Sequence, residues 1–98
     1  MLSQVYYLIR SKTDGSYLVA RPETRSRQES NPGYLLMFSE HFDALSYLNT
    51  HGSDVRDRFS IESISGTQIP GLIKRWGFVG LGIVKDPLIP TIEFLTNV

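Results

Sequence analysis

Hydrophobic residues fall in short blocks, and the spacing within each block predicts an element. Residues 5–10 (Val-Tyr-Tyr-Leu-Ile-Arg) are β-branched and aromatic and read as a strand apolar on both faces. Asp14-Gly15 follows, a pair that supplies the positive φ of a tight turn, so residues 17–21 read as the returning strand of a hairpin. Residues 22–33 hold no large apolar side chain and read as an exposed polar loop. Residues 34–38 are apolar on both faces, as in a central strand.

Helical spacing comes next. His41, Ala44, Leu45 and Leu48 fall at i, i+3, i+4 and i+7, with Ser39 as the expected cap and Gly52 as a left-handed stop. Residues 59–64 alternate, Phe59 and Ile61 one way and Ser60 and Glu62 the other, which predicts a half-buried strand. Ile69, Leu72, Ile73 and Trp76 make the clearest amphipathic stripe. Pro70 is tolerated only in a first turn, so this helix begins near Gln68. Residues 78–84 and 91–95 read as strands, the last held to an edge or to a late start by Pro90. The order is β-β-β-α-β-α-β-β. It predicts one α+β domain over residues 1–98, a small mixed or antiparallel sheet with two short helices on one face.

Ten basic residues balance ten acidic ones, which disfavours a dedicated nucleic-acid or membrane-surface binder. The chain has no cysteine, so disulfides, thiolate catalysis and Cys-based metal sites are excluded. No signal-like or membrane-spanning run is seen, and a soluble cytoplasmic protein is expected.

Candidate chemistry is sparse. Gly77, Gly80 and Gly82 lack the strand–turn–helix setting of a dinucleotide loop and read as a helix cap and small positions where a helix packs close. His41 and His51 bracket one helix, too far apart to share a metal. Ser39, His41 and Asp43 are too close in sequence to converge as a triad. Glu40/Asp43 and Asp54/Asp57 sit where solvated charges belong. No catalytic residue, metal or cofactor is therefore assigned. Arg21, Arg25 and Arg27, interleaved with hydroxyl and amide side chains, suit contact with a partner or an anionic ligand. Lys74 and Arg75 add two cations beside Trp76, which the stripe places in the core. Tyr6, Tyr7, Tyr17 and Tyr34 are strand formers that can line an open sheet face.

Residues 34–40 (Tyr-Leu-Leu-Met-Phe-Ser-Glu), Asp43-Ala44, Phe59-Ser60-Ile61, the 69–76 helix and the strand ending at Lys85-Asp86-Pro87 give residues 33–95 a packing pattern that resembles the SseB-type domain of bacteria. The resemblance implies a mixed α/β fold and a non-catalytic role, and it assigns no functional residue.

Three functions fit these features. The first is a small binding or regulatory module acting through protein contacts, including a homodimer paired through the hairpin or residues 91–95. The second is nucleic-acid or anionic-ligand binding through the arginine loop. The third is an enzyme with a shallow His/Asp site.

Overall fold

A computed structural model of the protein describes residues 4–21 and 33–96. In chain order the elements are β1 (Val5–Ser11), β2 (Val19–Ala20), β3 (Tyr34–Phe38), α1 (His41–His51), β4 (Phe59–Ser65), α2 (Ile69–Trp76), β5 (Gly80–Asp86) and β6 (Thr91–Leu95). Ser53–Arg58 and Gly66–Gln68 are 3₁₀ turns. The strands form one mixed sheet in the order β4-β1-β3-β5-β6, with β2 also beside β3. β3 and β5 run parallel, and the other paired strands are antiparallel. The α+β class expected from sequence is the observed one.

The placement of the helices differs from expectation. Leu35 and Met37 of β3 pack with Ile69, Leu72 and Ile73 of α2. Leu36 and Phe38, the alternate residues, pack with Ala44 and Leu48 of α1. The helices therefore cover opposite faces of the sheet, not one. The chain path explains this. The β3–α1–β4 crossover runs toward the β4 edge and β4–α2–β5 runs back. Two right-handed crossovers in opposite directions lie on opposite faces. A strand as apolar as β3 also needs cover on both sides.

The opening hairpin is modified too. Asp14-Gly15 does turn the chain, with Gly15 at φ 75°, but residues 17–21 do not return along β1 as a full strand. Tyr17 makes a single bridge to Arg10, whereas Val19 and Ala20 pair with Leu35 and Tyr34. β1 and β3 meet at Tyr7 and Phe38. Beyond that point Leu18 lies between them, donating its N–H to Ile9 and accepting from the Leu36 N–H. A bent segment thus fills a wedge between two splayed strands. β1 is consequently an interior strand, which removes the hairpin as a pairing edge.

Capping differs in detail. Glu40, not Ser39, is the N-cap of α1, without a side-chain cap bond, and Gly52 is at φ −145° rather than left-handed. Gly77, at φ 75°, is the left-handed stop of α2. The buried stripe of α1 runs through Ala44 and Leu48 with Tyr47 half-buried, leaving His41 and Leu45 on the exposed side.

Gly71 stands within α2, where an added methyl meets nothing within 4 Å. Gly71→Ala is expected to stabilise the fold by about 0.5–1 kcal/mol in urea unfolding, the usual helical penalty of glycine. A loss of stability would place an unseen contact on that face.

Candidate functional site

On the α2 side of the sheet a row of polar and aromatic groups crosses its end. It starts at Glu62 of β4, whose carboxylate lies 3.4 Å from Arg10 of β1. Both partners are partly exposed, so this pair contributes under about 1 kcal/mol. Its use is positional: Arg10 also donates from Nε to the Gly15 carbonyl at 2.7 Å and lies 4.7 Å over the Tyr17 ring. Tyr17 meets Trp76 edge to face at 5.2 Å, and Trp76 stacks on Phe78 at 6.0 Å and 12°.

Trp76 is therefore not the core residue that its stripe position predicts. It is 39% exposed, because it ends an eight-residue helix and packs on Tyr17 and Phe78. Beside it opens a cleft of about 580 Å³ lined by Tyr17, Trp76 and Phe78, by Leu18 and Val19 of the wedge segment, by Phe59, and by polar Ser11, Asp14, Ser16 and Arg21. Its size lies within the range of ligand pockets. The bent segment at Leu18 shapes it by carrying Tyr17 toward α2 and Leu18 toward α1.

The electrostatics are local. The Ser16 N–H and hydroxyl donate to Asp14 Oδ1 at 3.0 and 2.7 Å and hold its carboxyl below the ordinary 3.8. Burial pushes the Tyr17 phenol above 10.0, with Arg10 opposing the shift. A raised folded-state pKa disfavours tyrosinate in the native protein, so the stability linked to Tyr17 is intact below pH 10 and is lost as pH rises through the shifted value. In a spectrophotometric titration, the step missing from Tyr17→Phe is expected above pH 10. A step at or below 10 would contradict the burial of this ring.

Among the arginines expected to act, Arg21 lines the cleft. Arg75 lines a neighbouring depression with Thr67, Gln68 and Gly71, near enough to Tyr17 to favour its ionised form. Lys74 is exposed on the last turn of α2 and lines neither depression. Arg25 and Arg27 fall outside the described residues. Sequence reasoning missed Arg10, whose signal was a cation at the end of an apolar strand. The four tyrosines do not share a face: Tyr6 and Tyr17 pack toward α2 and Tyr7 toward α1, while Tyr34 meets Phe94.

The remaining candidates have packing roles. His41 sits edge-on to Tyr7 at 5.6 Å, and His51 Nε2 is 2.9 Å from the Pro87 carbonyl oxygen. Among the described residues no group of three His, Cys, Asp or Glu is placed to hold a metal. Gly80 and Gly82 are small because of β6, not a helix: a Cβ on Gly80 would strike the Leu95 carbonyl, and one on Gly82 would lie 3.2 Å from Ile92. No described helix is long and apolar enough to cross a membrane. No family model, curated protein or solved structure matches the chain.

Proposed function

We propose that the protein is a small, non-catalytic binding module that acts through protein–protein contacts at the Tyr17–Trp76–Phe78 cleft. The observation that carries this reading is Trp76, packed between two aromatic rings yet 39% exposed at an open cleft. Tryptophan, tyrosine and arginine dominate the energetics of interfaces. An aromatic ring already fixed by its neighbours loses little rotamer freedom on binding. The rings of Tyr17, Trp76 and Phe78 favour a partner segment that sets an apolar or aromatic side chain into the cleft. The SseB-type likeness supports the same non-catalytic role.

Nucleic-acid binding is the second reading, favoured by an exposed tryptophan next to Lys74 and Arg75. The zero net charge weighs against it. Tagged wild-type and Trp76→Ala proteins, each passed over host lysate with and without nuclease, separate the two. The first reading expects a defined protein that survives nuclease and falls at least about tenfold with Trp76→Ala, the effect of losing an interface anchor. Recovery of nucleic acid in a steeply salt-dependent manner would replace it with the second. A partner held equally by both proteins would remove the cleft from the interaction.

A further inference from the structure

A second cavity, of about 210 Å³, opens on the α1 side of the sheet. Its walls are Leu18, Phe59, Tyr47 and Leu48 of α1, and Val55 of the 3₁₀ turn that follows, with His51 at the rim. The lining holds no carboxylate, lysine or arginine. An apolar cavity of about 150 Å³ already takes a benzene ring. Pockets for larger ligands begin near 300 Å³. The volume therefore suits one six-membered ring with a small substituent and excludes a peptide segment.

Two polar groups border this cavity. His51 Nε2 lies 2.9 Å from the Pro87 carbonyl oxygen, and a carbonyl only accepts, so Nε2 carries the proton. In the neutral ring Nδ1 is then an acceptor, and no described residue donates to it. The Tyr47 hydroxyl also has no hydrogen-bond partner among the described residues. Burial pushes this phenol above its usual 10.0, so it keeps its proton at neutral pH and can donate. The Tyr47 and His51 ring centroids are 4.7 Å apart, which sets both groups on one side of the cavity.

We propose that this cavity is a binding site for a small single-ring phenol, its ring against Phe59, Tyr47 and Leu48 and its hydroxyl on Tyr47 and His51. The aromatic walls favour another ring, which gains edge-to-face contacts beyond its buried area. The polar pair selects the substituent. A hydroxyl donates to Nδ1 while it accepts from Tyr47. A carboxylate has no proton for Nδ1, and an ammonium has no lone pair for Tyr47. A ring with an apolar substituent leaves both groups unmatched. This site lies apart from the Tyr17–Trp76–Phe78 rings, and the proposal does not rest on the cleft reading. Leu18 and Phe59 line both cavities, so their signals do not tell the two sites apart.

The test is a titration of the ¹⁵N-labelled full chain with phenol, followed by amide chemical shifts. Saturable shifts are expected at Tyr47, His51, Gly52 and Val55, with a Kd of about 1 mM or lower. Toluene, which replaces the hydroxyl with a methyl group, is expected to bind about threefold to tenfold more weakly, the worth of a hydrogen bond. Tyr47→Phe keeps the ring and should weaken phenol by about the same factor while leaving toluene unchanged. Gly52→Leu fills the cavity from its wall. A Cβ there makes ordinary contacts, 3.5 Å from Leu48 Cδ1 and 3.8 Å from Val55 Cγ2, so the helix need not move. With an unchanged circular dichroism spectrum, this variant is expected to lose at least about tenfold in phenol affinity. Shifts centred on Trp76 and Phe78 would put phenol in the cleft and overturn the proposal. So would the absence of saturation, equal binding of phenol and toluene, or unchanged binding by a folded Gly52→Leu protein.

Discussion

Phe38→Ala is expected to cost about 3–5 kcal/mol of folding stability, the range for deleting a buried aromatic ring. Phe38 is fully buried at the end of β3, where the strand meets β1 at Tyr7 and β5 at Val84. Its ring packs with Ala44 and Leu48 of α1 and stands edge-on to Tyr47 at 5.4 Å. Three strands and one helix thus share a single side chain, and the space left by alanine cannot be refilled from one direction. A domain of this size has about 5–15 kcal/mol in total, so the variant loses a large fraction of it. Urea unfolding followed by circular dichroism checks this, with an unchanged slope showing that the same surface is exposed. A loss under about 1 kcal/mol, the size of a surface substitution, would mean that α1 does not close over this face.

Gly80→Ala is the second large effect, and it arises from backbone and not from core volume. An alanine methyl at this position runs into the carbonyl oxygen of Leu95, with Leu95 C and Thr96 Cα each at 3.0 Å. Backbone cannot rotate away as a side chain can, so β6 must move off β5. The expected cost is about 2–3 kcal/mol, the upper range for overpacking. Amide exchange from Thr91 to Leu95 should accelerate while that of β1 and β4 stays slow. Gly82→Ala is the comparison: its nearest neighbours are the side-chain ends of Ile92 and Leu36 at 3.2 Å, which can yield, so its cost should be smaller. Equal effects from the two substitutions would contradict the close approach at Gly80.

The elements were legible because their periods are local. The Asp14-Gly15 turn, the all-apolar β3, the Ile69–Leu72–Ile73 stripe and the Gly77 stop are each written within a few residues. What the sequence left open depends on chain path. Two crossovers of opposite direction put α1 and α2 on opposite faces, and no local pattern records that direction. The bend at Leu18 likewise comes from competition between Ile9 and Leu36 for one short segment. Trp76 shows the limit of periodicity: its position on the stripe is right, but a helix of eight residues ends before that position reaches the core. The candidate site was half legible. Arg21, Arg75 and Trp76 were visible as residue types, whereas Arg10 and Tyr17, which organise the row, looked like ordinary strand positions.

We propose that the protein meets its partner at the aromatic cleft. The most direct test is amide hydrogen exchange of the protein alone and with the protein that it captures. Protection is expected at residues 16–19 and 76–79, the two segments that carry Tyr17, Trp76 and Phe78. Bound protein in which these segments exchange unchanged, with protection confined to other surfaces, would contradict it.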